Sequence, residues 1–184
     1  MSRFKNIARG MPGGTLLPPE LESLCDYLDR TGYPISGCMK IRPDDGAVAA
    51  WFDGDTSVVS QFAAFGAGPD GSILAFWLTE GSDARHAPIV HLGSEGSGNK
   101  VLAQNFRQFL ALFGIGYDEL GFDELSDPPS DPSSAIAFRT WLLNEHAIRC
   151  PVVGAEIAAI AARECPDLQA FLDSWYARRY PNGA

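Results

Sequence analysis

Long apolar runs are missing from this sequence. The longest, AVAAWF and ILAFWL, fall far short of the roughly 20 residues that a membrane-spanning helix needs, so no membrane association is expected. Basic charge is also scarce: 14 Lys and Arg stand against 23 Asp and Glu, a formal net charge of −9. Such a surface repels nucleic acid and anionic lipid and attracts a basic partner. Lys and Arg do not cluster with aromatics, so direct nucleic-acid binding is not expected. The basic residues near the start, Arg3, Lys5 and Arg9, are followed by no apolar stretch of the kind a secretory leader carries, which points to a bacterial-type cytoplasm. Cysteine is sparse: Cys25, Cys38, Cys150 and Cys165 form no C-x-x-C, and a chain of 184 residues can bury a core without staples, so buried thiols are expected. His86, His91 and His146 fall in no zinc-binding spacing, and no metal or cofactor is expected. No serine lies in G-x-S-x-G.

What is present is aromatic and patterned. Eleven Phe, five Tyr and four Trp supply a core. Trp51, Trp77, Trp141 and Trp175 all fall inside apolar patterns and read as core residues first. After LPP, the stretch from Glu20 puts Leu21, Leu24, Cys25 and Leu28 at helical spacing, and Gly32 stops it. Short apolar or β-rich runs at 38–41, 47–52, 62–65, 73–78, 89–92 and 101–103 then predict a sheet of five or six strands. The turn-rich connector GAGPDGS makes two of them an antiparallel hairpin. Asn105 followed by Gln108 forms a capping signal, and Phe106, Phe109, Leu110 and Phe113 share one face of the helix it opens. SDPPSDPSS is a linker, beyond which helices are predicted at 135–145, 155–163 and 168–179. Asp167 caps the last, whose apolar side holds Leu168, Phe171, Leu172, Trp175 and Tyr176. Three such short helices cannot stand alone and are expected to dock on the sheet. The division is a domain over 1–125 and a linker with helical extension over 126–184.

Three stretches resemble enzyme motifs. HLGSEGSGNK places Gly93 and Gly98 at a P-loop interval, but Asn99 takes the lysine's place, Lys100 comes one residue late and is followed by Val101, and Glu95 would sit in the phosphate cradle. GAGPDG is a literal G-x-G-x-x-G through Gly66, Gly68 and Gly71, but a strand, not a helix, follows it. Both read as turns between strands. AAWFDGDTS places two aspartates after an apolar run, as in magnesium-dependent phosphatases of the haloacid-dehalogenase type, where Asp53 would attack phosphorus and Asp55 would serve as acid and base. That pattern wants Thr or Val where Ser57 stands, so a polar turn at a strand end is the stronger reading and the phosphatase the alternative.

The order of the pieces carries further than any single one. LPPELESL, AWFDGD, FAAFGAGPDGSILAFWL, PIVHLGSEG and VLAQNFRQFLALFGIGYDELG together resemble the SUKH superfamily, named in part for the yeast Smi and Knr cell-wall-assembly regulators, over about residues 17–125. The resemblance implies a non-enzymatic α+β fold with an N-terminal helix and a mostly antiparallel sheet. It also implies an immunity protein that neutralises a polymorphic toxin, often a nuclease, with a regulatory or structural interaction module as the other possibility. The tail after Ser126 lies outside it. Acidic groups in turns at sheet edges are the candidate contacts to a basic partner: Asp44, Asp45, Asp53, Asp55, Asp70 and Glu95.

Overall fold

The structure, a computed structural model, describes residues 2–32, 39–79, 81–121 and 124–181. Five strands form one antiparallel sheet in chain order: β1 (Lys40–Ile41), β2 (Phe62–Ala67), β3 (Ile73–Trp77), β4 (Ile89–Leu92) and β5 (Lys100–Ala103). The fold is α+β, as expected, and no sixth strand occurs among the described residues. Of the run at 38–41, Cys38 lies outside the described residues.

The strand runs FAAFGA, ILAFW and IVHL are continuously buried rather than alternating, because the sheet is covered on both faces. Ala63, Phe65, Leu74, Phe76 and Ile89 point into one core, and Phe62, Ala64, Ile73, Ala75, Trp77 and Val90 into another. The first core is roofed by four helices: α1 (Arg3–Gly10), α2 (Pro19–Thr31), α5 (Phe106–Phe113) and α6 (Ile136–His146). In α5, Asn105 Oδ1 accepts from the Gln108 amide at 3.0 Å, and Phe106, Phe109, Leu110 and Phe113 are all buried, as the capping signal and spacing predict. The Gln108 side chain reaches back to the Gln104 amide, one residue before the cap.

The second face corrects one expectation. Residues 47–52 are not a strand: Ala47–Trp51 is a helical turn, α3, followed by a second short helix, α4 (Thr56–Val59). Asp44 Oδ1 accepts from the Gly46 and Ala47 amides at 3.1 and 2.8 Å, satisfying the donors that a helix start exposes. One turn then places Val48 and Phe52 on the same side, against the sheet. A run in which every side chain is apolar carries no periodicity that separates helix from strand.

The tail is a built part of the molecule. A short 3-10 turn, Pro132–Ala135, leads into α6, whose Phe138 and Trp141 pack on Tyr27 at ring-centroid distances of 5.4 and 4.6 Å. Next, α7 (Ala155–Glu164) lies against β5, covering an edge strand that would otherwise offer unpaired backbone. Finally α8 (Leu168–Arg179) sets Leu168, Leu172 and Trp175 into the second core. The tail thus begins on one face of the sheet, passes its edge and ends on the other.

Tyr117 fixes the start of this path. Its hydroxyl donates toward Asp127 O at 2.7 Å and Leu125 O at 3.1 Å, and accepts from the Gly154 amide at 3.0 Å. Cys25 is buried, and its thiol is pushed up to about 12 by burial. Cys150 and Cys165, against expectation, are only half-buried, and Cys38 is outside the described residues. Among the described residues no helix is long and apolar enough to cross a membrane.

Candidate functional site

The two glycine-rich loops are turns between strands, and several of their amides are consumed internally. In the β4–β5 turn the Gly93 amide donates to Asn99 Oδ1 at 3.0 Å, and the Gly96 amide to Gly93 O at 3.1 Å. A Cβ at Gly93 would fall on the Ser97 carbonyl oxygen, so the tightness of this turn demands glycine there. In the β2–β3 turn the Gly68 amide donates to Ser72 O and the Ser72 amide to Asp70 Oδ1, both at 3.0 Å. Neither loop opens a helix directly after Gly71 or Gly98.

Asp53 and Asp55 lie in the turn between α3 and α4, not at a strand end, which removes the scaffold that the phosphatase reading needs. Asp53 adopts a left-handed backbone, φ 48°, and its carboxylate pairs with the Arg179 guanidinium at the end of α8, with the Tyr180 hydroxyl at 3.4 Å. The Arg179 hydrogen bond holds the Asp53 carboxyl below its ordinary value. Asp55 caps α4 by accepting from the Ser57 amide and hydroxyl at 3.0 and 2.6 Å, and also accepts from Trp175 Nε1 at 3.1 Å. The Ser57 bond contributes most to lowering its carboxyl as well. The two aspartates anchor the C-terminal helix, and they share an open pocket of about 420 Å³ with Trp175, Arg178 and Arg179, in which the Asp53 carboxylate is already met by Arg179.

The other four nominated carboxylates divide in the same way. Asp44 caps α3, and Asp45 pairs with Arg42 at 2.8 Å. Asp70 ties two turns together, accepting from the Ser72 amide and from Ser94 Oγ at 3.2 Å; burial acts to raise its carboxyl, but these bonds outweigh it and leave it lowered. Glu95 differs: exposed at the tip of the β4–β5 turn, it is engaged in no ion pair among the described residues.

Beside Glu95 opens a cleft of about 500 Å³, between that turn, the end of α3 and the outer side of α8. Its wall is aromatic. Trp51 donates through Nε1 to Gly93 O at 2.8 Å, so its ring is held in place; its centroid lies 6.1 Å from that of Trp175. Tyr176 and Tyr180 continue the wall, 4.9 Å apart. Asp173, exposed on α8, stands on the cleft's rim and accepts from Gln169 Nε2 at 2.7 Å. Trp77 and Trp175 are buried as expected, but Trp51 is only half-buried, and Tyr176 is 46% exposed although it shares the apolar stripe of α8. The sequence held a partial signal for the wall: the aromatics of WYARRY exceed what a core stripe requires, while its arginines face the Asp53–Asp55 pocket instead.

Among the described residues no group of His, Cys, Asp and Glu converges as a metal centre would require. His91 is buried, 1% exposed, with Nδ1 2.9 Å from Gly98 O, and burial pushes its imidazole below the ordinary value. No family model, curated protein or solved structure matches the chain.

Proposed function

We propose that this chain is a non-catalytic protein-binding module of the immunity type, resembling the SUKH superfamily, that neutralises a basic toxin domain. The observation that carries this reading is the disposition of charge. Arg3, Arg42, Arg85, Arg107, Arg163 and Arg179 are each paired with a carboxylate of the chain itself, and the overall balance is −9, so the field the molecule presents outward is acidic. Such a field steers a cationic domain into contact and favours one whose own site was shaped to hold phosphates. The two-faced sheet supports the reading in a second way: a scaffold covered on both sides holds its turns in fixed positions, which lowers the ordering cost of binding.

Co-expression with the products of adjacent genes tests this. The proposal expects one of them, a basic domain, to be toxic alone, harmless with this chain present, and recovered with it as a stable complex. It fails if no adjacent product is rescued. It fails equally if the purified chain turns over a phosphate ester with magnesium and loses that turnover in Asp53→Asn.

A further inference from the structure

We infer that the cleft walled by Trp51, Trp175, Tyr176 and Tyr180 and rimmed by Glu95 and Asp173 is the partner-binding pocket, and that its occupant is an arginine side chain of a protein. This rests on the binding function proposed above and assigns it a place.

The wall is apolar and pre-set. Both indoles spend their only donors within the chain, Trp51 on Gly93 O and Trp175 on Asp55, so the rings are fixed; the half-buried Trp51 and the exposed Tyr176 offer the cleft ring surface, and the buried Trp175 backs the wall. An apolar ligand alone would displace water from the exposed rim carboxylates and return nothing, whereas a cation answers both features. Glu95 and Asp173 come from different elements, a strand turn and a helix, so they can grip one guanidinium from two sides while its plane lies against a ring. Arginine fits better than lysine because its planar fork both stacks on aromatics and meets carboxylates. The chain supplies a precedent for that stacking: its own Arg179 lies over Tyr180, with Cζ 5.9 Å from the ring centroid, while its charge is met by Asp53. That contact also explains why the Asp53–Asp55 turn, the more conspicuous acidic pair in the sequence, is not the pocket. Its arginine is already in place, and Glu95 is left for the arginine of another molecule. Buried tryptophan, tyrosine and arginine are the residues on which interface energy concentrates.

The test uses the full chain, ¹⁵N-labelled, titrated with a capped pentapeptide carrying one central arginine and with its citrulline counterpart, which keeps shape and loses charge. The expected result is a saturable shift of the Trp51 indole N–H with the arginine peptide and about tenfold weaker binding, ~1.4 kcal/mol, with citrulline. Glu95→Gln combined with Asp173→Asn changes two exposed side chains, leaves the fold intact, and should weaken the arginine peptide to the citrulline level. Equal binding of the two peptides, shifts confined to another surface, or an undiminished affinity in the double variant overturns the assignment. If the double variant still captures and neutralises the co-expressed toxin, the pocket is wrong while the function stands. If the arginine peptide titrates the cleft but no toxin is neutralised, the pocket stands and the function falls.

Discussion

Asp53 and Arg179 are 126 positions apart in the chain and joined by an ion pair on the surface, where the turn after α3 meets the end of α8. The pair ties the last helical turn to a segment that is itself seated on the sheet.

Because both partners are exposed, breaking the pair should release the helix end without unfolding the molecule. Arg179→Ala is expected to raise amide exchange over 176–180 while leaving the unfolding midpoint close to that of the parent. The pH dependence follows from the direction of the Asp53 shift. A carboxyl lowered in the folded state contributes fully above its ordinary value, about 3.9, and loses that contribution as pH falls through the lowered one. The Arg179 side-chain resonance should therefore be steady from pH 7 to 5 and move only in the acid limb, below about pH 4.

Phe52 joins the end of α3 to the sheet and to α8. It is fully buried, 4.8 Å from the Phe62 ring and 5.1 Å from Trp175 in an edge contact. Phe52→Ala is expected to cost about 3–5 kcal/mol in urea denaturation. A loss below about 1 kcal/mol would mean that α3 and α8 do not share a core.

Tyr117→Phe removes a hydroxyl that serves three backbone groups and leaves the Gly154 amide without its acceptor. The expected cost is about 1–3 kcal/mol. Limited proteolysis should then cut within 126–134 faster than in the parent, since the linker is tethered at Asp127.

His91 gives a second pH signature of its own. Burial lowers its imidazole, so the folded chain keeps it neutral while the unfolded chain binds a proton below about pH 6.5. Stability should therefore decline as pH falls through that range and level off once the folded state also takes up the proton. Gly121 closes over the ring, and a Cβ there would collide with Cε1 and Nε2, so Gly121→Ala should destabilise at all pH values by about 1–3 kcal/mol. A flat stability profile from pH 7 to 5 would contradict this account of His91.

Where local chemistry decides structure, the sequence was readable. Asn105 opens α5, Asp167 opens α8 with its oxygen 3.0 Å from the Ala170 amide, and GAGPDGS folds β2 onto β3. Where the apolar pattern is unbroken or local chemistry is thin, it was not. AVAAWF reads as a strand because every side chain is apolar, and only the Asp44 cap and the contacts of Val48 and Phe52 make it a helical turn. The helix α1 gave no apolar stripe, since Ile7 is its one buried residue. The cleft depends on Trp51 and Trp175 lying 6.1 Å apart, a juxtaposition that no local pattern encodes, and the acidic turn that looked most like a site turned out to hold the chain's own arginine.

The most direct test of the proposed acidic recognition is the association rate of this chain with any basic domain that the co-expression experiment recovers, measured by stopped flow across a range of ionic strength. That rate is expected to fall about tenfold or more from low to high salt, with the dissociation rate nearly constant. An association rate indifferent to salt would contradict it.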